Sequence, residues 1–441
     1  MSVEMITFLM LSALIVVILL NFQIGFALAG VAAIFGMIFV GPQVSNVFML
    51  RMYVSYSDYI LIAIPLFIFM GLIIERAGIA GRLYDAMFVL FGGLRGGMAI
   101  ATIVTCTIFA AATGVVGATV VTMGIMSLPA MLKYKYDKVM ACGSICAGGA
   151  LGILIPPSIL ILVYAPTANV SVGALLIGAF VPGLILSGLY IAYVLIRCYI
   201  NPAMGPAISK EELARYSLAD KVRMFVTSVL PVCVLILAVL GSIFFGLAAP
   251  TEAAALGAFC AVLMAAGYKG LNWQNLKYAA INTVRTSAMV YMVVIGAAFF
   301  TSVFMRLGCG QVVENVVMGL PFGKWGIILT MWAIIIAMGC FLDWIGIVMI
   351  VVPLFTPIAV KLGFDPIWFA LMNIVVLQTS FLSPPFAYTI FYLKGIAPPE
   401  VTLTHIYKGV VPFLLLMLLA VAIFAVFPDI IMWAPRASRL L

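Results

Sequence analysis

Charge is what this chain has least of. Asp, Glu, Lys and Arg make up 8% of its 441 residues, where a soluble domain carries about 25%, so a water-facing surface all round is excluded. Histidine is nearly absent: the single one, His405, falls in an expected loop and is given no role. Eight cysteines are scattered, mostly within apolar runs. Cys142 and Cys146 stand four apart without a His or second Cys pair, which argues against a zinc site or disulfide framework. No glycine-rich loop ending in Lys-Ser/Thr is present, so the chain is not the motor of an ATP-driven pump. The first apolar run, 5–20, follows Glu4 and lacks a basic n-region and a small-residue cleavage site, so it reads as a retained span.

What remains is apolar: 66% of residues are hydrophobic. Runs of roughly 17–25 residues recur, the length that spans ~30 Å of hydrocarbon. The sequence predicts an all-α polytopic membrane protein with about ten full crossings, at 5–20, 24–40, 59–75, 139–165, 173–196, 225–247, 250–267, 286–305, 366–393 and 409–427. Two further runs, 98–131 and 325–360, are interrupted by small residues and are read as re-entrant hairpins, each with both ends on one side. With that arrangement, loops placed inside hold 16 of the 22 Lys and Arg residues, as the positive-inside rule requires. The other six are Arg51, Arg306, Lys324, Lys361, Arg436 and Arg439, and the last two, in the tail, run against the rule. Both termini are then outside, the first hairpin enters from the cytoplasm and the second from the opposite face. The net charge of +8 fits basic loops facing anionic lipid rather than nucleic acid.

The two halves are copies. Pro156-Pro157 and Pro384-Pro385 lie 228 positions apart, as do Pro129 and Pro357, and Asp137 and Asp365. At 230 positions, Phe91–Gly96 resembles Pro321–Gly326, and Pro182 answers to Pro412. A proline pair removes two backbone donors from a helix, and unpaired backbone at membrane depth survives only under protein or beside a wet cavity. Duplicated broken helices of this kind point to a transporter's binding site. The one polar connector, 201–223, separates the halves as a cytoplasmic linker with a short helix. Amphipathic stretches at 79–91 and 309–320 precede each hairpin and are read as interfacial arms or ordinary loop helices.

The first hairpin centre holds Thr113, Gly114, Gly117 and Thr119; it is either a sharp reversal that frees carbonyls for a hard cation such as Na⁺, or close packing through small residues. Its partner, 148–158, adds carbonyls around Gly152 and Pro156 and the Ser158 hydroxyl, beyond what a proline kink alone supplies. In the second half Gly339 and Asp343 sit at the hairpin centre, where a carboxylate costs ~2.5–3.5 kcal/mol unless paired or hydrated; Asp343 is ion-associated, helix-capping, or wetted at the tip. The second break, 378–385, supplies hydroxyls from Thr379, Ser380 and Ser383. Thr119, Ser158, Asn373 and Gln378 are candidates for contacting a polar substrate. Glu75-Arg76 reads as interfacial, Glu252 as the cap of a helix first turn, and Arg306 as a snorkelling cation.

The runs Phe109–Gly124, Gly148–Ser158 and Ala249–Ala255 resemble the large membrane subunit of tripartite ATP-independent periplasmic (TRAP) transporters, across essentially the whole chain. The resemblance implies Na⁺-coupled uptake of organic anions, usually carboxylates, through the bacterial inner membrane, with no cofactor beyond the coupling ion and no enzymatic activity. It implies two partners, a small membrane subunit of about four helices and a periplasmic substrate-binding protein; the first repeat begins too soon after Met1 for the small subunit to be part of this chain. It further implies elevator-type motion of a transport domain against a scaffold. The scaffold would be 1–75 and 224–306, the arms 76–97 and 307–324, the transport domain 98–200 and 325–427, the linker 201–223 and the tail 428–441. Carried onto this sequence, one cation site comprises Thr113, Gly114, Gly117, Gly152 and Pro156, and the other Gly339, Asp343, Thr379, Ser383 and Pro384. Many members have a Ser-Gly-Ser tip where this chain has Thr113-Gly114-Val115-Val116-Gly117, so carbonyls would replace lost hydroxyls. A self-sufficient anion/Na⁺ symporter or antiporter of the same superfamily is the alternative. A channel is the third reading, against which the paired breaks and the lack of a filter ring stand.

Overall fold

The computed structural model describes residues 1–20, 22–384 and 387–438, the side chain of Lys210 aside. Pro385, second member of the second proline pair, and Arg439 lie outside the described residues. The first half comprises α1 (Val3–Leu19), α2 (Ile24–Phe39), α3 (Val44–Tyr56), a 3₁₀ turn (Tyr59–Ile62), α4 (Ala63–Arg76), α5 (Ile79–Phe91), α6 (Gly97–Thr113), α7 (Val116–Lys133), α8 (Lys138–Ala150), α9 (Ile159–Ala168) and α10 (Val172–Ile200). A linker holds the single turn α11 (Lys210–Leu213) and α12 (Leu218–Met224). The second half comprises α13 (Leu230–Phe244), α14 (Pro250–Gly267), α15 (Trp273–Arg306), α16 (Cys309–Met318), α17 (Lys324–Gly339), α18 (Trp344–Lys361), α19 (Pro366–Leu377), α20 (Tyr388–Ile396), α21 (Leu403–Val426) and α22 (Asp429–Ala437).

The duplication holds element by element. Helices α17 to α21 each begin within three residues of α6 to α10 shifted by 228. Both small-residue interruptions reverse the chain. Met98 N–H, in the first turn of α6, donates to the Tyr136 hydroxyl at 3.1 Å, so the start of α6 and the exit of α7 lie side by side. In the second copy Trp325 packs edge-on against Phe364 with ring centroids 5.1 Å apart. Among the described residues, eight helices are long and apolar enough to cross a membrane, but two of these, α7 and α18, are therefore returning arms.

The helices sort into two groups. Helix α15 packs on α2, α3 and α4, and α4 packs on α14, forming a wall. The hairpins and broken helices form a body in which the copies interlock: α7 lies on α20, and α18 on α9. The body is densely apolar; every residue of α19 from Ile367 to Leu377 is buried. Wall and body meet along α4 and α15, which touch α6, α9 and α18.

Three parts differ from the sequence reading. The stretch before residue 59 is helical rather than a loop. Phe48 packs on Phe299 (5.1 Å) and Tyr56 stacks on Tyr291 (5.9 Å), so α3 runs antiparallel to α15 and continues through the 3₁₀ turn into α4. The apolar span itself is Tyr59–Arg76, in line with the expected 59–75, and α3, with Ser45, Asn46, Arg51 and Ser55, precedes it. Helix α15 likewise starts at Trp273 rather than near 286, its first turns carrying Asn275, Lys277, Asn282 and Arg285. The tail folds back as α22 against α10.

The linker is docked rather than loose. Gly96 N–H donates to Gly205 O (2.8 Å), Ile208 N–H to Gly92 O (2.9 Å) and Asp137 N–H to Met204 O (3.1 Å). The Tyr134 hydroxyl donates to the Glu212 carboxylate. Residues 204–212 thus line the base of the first hairpin, and a Ser217–Asp220 capping box opens the next helix.

Candidate functional site

At the first tip, α6 ends at Thr113 and Gly114 takes φ +64°, the left-handed region that costs glycine little. A Cβ on Gly114 would lie 2.7 Å from Pro157 O, so the tip rests directly on the first helix break. There α8 gives way to a 3₁₀ turn at Leu151–Ile153 before α9 resumes. At the second tip, a Cβ on Gly339 would meet Ser380 Cβ at 2.5 Å, so this tip also abuts its own break. The paired construction brings both tips and both breaks to one cleft of 790 Å³, lined by Gly114, Val116, Gly117, Ile153, Asp343, Phe381 and Tyr388 among others. Its wall side is α15, through Thr286, Met289 and Val290.

The hydroxyls near this cleft spend their protons on nearby backbone carbonyls. Thr113 Oγ1 donates to Phe109 O (3.0 Å) and Thr119 Oγ1 to Val115 O (2.9 Å). Thr379 Oγ1 donates to Val376 O (2.7 Å) and Ser383 Oγ to Thr379 O (2.8 Å). Ser158 Oγ donates to Ile153 O across the first break, and Ser380 Oγ to Leu377 O. Oxygens that have given up their hydrogen keep lone pairs for a cation. The Thr113 and Thr119 oxygens lie 3.5 Å apart, too far for a good O–H···O bond. Asp343 is the N-cap residue of α18 but makes no capping hydrogen bond, whereas Asp137 and Asp365 do. Its partly buried carboxylate lines the cleft instead.

The remaining sequence candidates fall elsewhere. Gly152 lies beneath the tip, a Cβ there standing 3.5 Å from the Val115 backbone. Pro156 and Pro157 are joined by a cis peptide within the break, and Pro384 is exposed at the end of the second. Asn373 is buried away from the cleft: its Oδ1 accepts from Trp332 Nε1 (3.1 Å) and its Nδ2 donates to Tyr164 OH (2.9 Å). With its amide oriented to satisfy both neighbours, Gln378 donates to Ala150 O (2.7 Å) and accepts from Leu154 N–H (3.1 Å). It clasps the second break to the first. Glu252 Oε2 accepts from Ala249 N–H (2.8 Å), the cap expected of it. The Arg76 guanidinium lies 3.5 Å from the centre of the Tyr278 ring.

Tyr388, Tyr392 and the α15 residues Thr286, Met289 and Val290 also line the cleft, and sequence reasoning did not single them out. Tyr388 and Tyr392 fall one turn apart just past the second proline pair, a spacing that could have marked them.

Two re-entrant hairpins and two broken helices, duplicated and converging on one cleft, define a membrane transporter built from structural repeats. The particular family follows from comparison: residues 11–430 match the tripartite ATP-independent periplasmic transporter, DctM component, and the chain belongs to it. It is similar to the C4-dicarboxylate TRAP transporter large permease protein DctM of Vibrio cholerae, with 31% identity over 400 residues, covering 86% of each chain. It is also 30% identical, over 382 residues, to the isethionate TRAP transporter permease protein DctMQ of Oleidesulfovibrio alaskensis, covering 86% of this chain and 59% of that one. In fold it resembles the YdaH transporter of Alcanivorax borkumensis, with TM-score 0.60, 15% identity and coverage of 91% and 90%. The chain is thus an inner-membrane substrate-uptake transporter and not an enzyme.

Proposed function

We propose that this chain is the transport subunit of a Na⁺-coupled importer of small organic anions, working with a small membrane subunit and a periplasmic binding protein. The convergence of both tips and both breaks on one cleft carries the reading. The donor set there is all oxygen, which suits a hard cation and not a thiophilic metal. A cation ligated at about 2.4 Å has neighbouring oxygens about 3.4 Å apart, taking the range for the similarly sized Ca²⁺. The 3.5 Å gap between Thr113 and Thr119 matches that spacing, so Thr119 would supply a hydroxyl in place of the missing tip serine. Asp343, uncapped, would stand over the second cation, with Thr379 and Ser383 behind it. With cations in place the cleft gains positive charge, and the N-termini of α7 and α18, which open at the tips, add their dipoles. A carboxylate or sulfonate is the chemistry that site would take; the relatives named for a C4-dicarboxylate and for isethionate fit this class. The hairpin body would then slide along α4 and α15 as the moving part. The relative named as a permease protein DctMQ, of which this chain covers 59%, fits dependence on a small subunit.

The test is uptake into proteoliposomes holding all three components, with C4-dicarboxylates, isethionate and other small carboxylates and sulfonates. Accumulation should require a Na⁺ gradient and cease when the binding protein is omitted. Accumulation by this chain alone would instead favour the self-sufficient carrier.

A further inference from the structure

A second cleft, of 1060 Å³, lies on the same seam between wall and body. It is lined by Arg51 and Ser55 from α3 and Asp58 just after it, Thr167 and Asn169 from the end of α9, and Thr301 and Ser302 from α15. Along α15 the tip cleft touches Val290 and this one begins at Val294, a separation of one turn, about 6 Å. The two clefts therefore lie end to end on one path. By the positive-inside assignment the tip cleft is on the cytoplasmic side of that turn and the second cleft on the outer side.

Arg51 is the anomaly here. It stands on α3, ahead of the apolar span Tyr59–Arg76, and is exposed within this cleft. Among the described residues it has no ion-pair, hydrogen-bond or cation–π partner within range. The only other charged side chain lining the cleft is Asp58, which is engaged in capping Ile60 N–H at 2.9 Å. Its counterpart 230 positions on, the offset that relates Gly78 to Gly308, is Ile281 and carries no charge. Around it the cleft offers hydroxyls and an amide, groups that complete the shell of a bound oxyanion.

We propose that Arg51 makes the outer cleft a receiving site for the anionic group, carboxylate or sulfonate, of the incoming solute, occupied before the solute reaches the tips. The site rests on reading the chain as an organic-anion importer. Asp58 in the same cleft keeps the local field weak enough for the solute to pass on.

The experiment uses the complete three-component system in proteoliposomes, with succinate or isethionate as probe, whichever the wild type accumulates, at saturating binding protein. Arg51→Gln should lower the uptake rate at least tenfold, and Arg51→Lys should keep a third or more of it. The affinity of the liganded binding protein for the permease, measured by surface plasmon resonance, should stay within twofold of wild type in both. An unchanged rate in Arg51→Gln overturns the proposal. So does Arg51→Lys as inactive as Arg51→Gln, because charge would then not be what matters. A parallel loss of binding-protein affinity would make Arg51 a docking contact and overturn it too. A wild type that accumulates neither anion, nor any other, refutes the importer reading itself and this site with it, a result visible before any variant is compared.

Discussion

Gln378 and the threonine pair at the first tip do different work in one small volume. Gln378 satisfies an acceptor and a donor of the broken α8, Ala150 O and Leu154 N–H. Gln378→Leu would remove both bonds, at about 0.5–1.5 kcal/mol each, while Leu154 N–H keeps its bond to Leu151 O (3.0 Å). A fall in melting temperature in detergent is expected, beyond any effect on transport; no change would mean that neither bond forms. Thr113 and Thr119, whose protons point elsewhere, should act on the ion instead. Thr119→Val should raise the half-saturating Na⁺ concentration for uptake about tenfold, equivalent to ~1.4 kcal/mol, while Thr119→Ser stays close to wild type. The measurement is Na⁺-dependent uptake at fixed substrate, and an unchanged Na⁺ curve would remove Thr119 from the cation set.

Among the elements, the hairpins were the most legible. Small or polar residues interrupt the apolar runs at matching places in the two copies, Thr113, Gly114 and Gly117 in the first and Gly339, Asp343 and Gly346 in the second, and each duplicated break sits within a residue or two of its expected place. Gly114 shows how tightly one tip is built: a methyl group there would need both a left-handed backbone and room at Pro157 O that does not exist. Gly114→Ala should cut uptake more than tenfold while leaving expression in the membrane near normal; full activity would show that the tip does not rest on the break. The span Tyr59–Arg76 was legible, but helix α3 before it was not. It carries Ser45, Asn46, Arg51 and Ser55, which a hydropathy reading assigns to a loop, and it is a helix packed against α15. Asn373 looked available for solute because an amide is rare in an apolar helix; its burial between Trp332 and Tyr164 depends on residues 41 and 209 positions away. Pattern reading locates breaks in a helix well, because each break is local. It does not reveal which polar side chains the breaks consume.

For the whole molecule, the proposed sliding of body against wall yields a covalent test. Ile24, at the start of α2 in the wall, touches Gly346 beside the second tip, where a Cβ would stand 3.1 Å from the Ile24 side chain. Cysteines at 24 and 346 should cross-link under mild oxidation and arrest uptake, with recovery on reduction. Cross-linked protein that still transports would refute relative motion at that contact. The wild type is the necessary control, since Cys233, Cys260 and Cys340 are only partly buried.

The linker has a consequence of another kind. Its first part hangs from the base of the first hairpin by three main-chain bonds, and Tyr134 secures Glu212; α12 packs on α5 and leads into the second half. Between them, Ala214 to Tyr216 make only bonds to residues just behind them. Covalent continuity is therefore dispensable at that point. A gene cut there into two reading frames should yield fragments that find each other during co-expression, purify together and restore uptake.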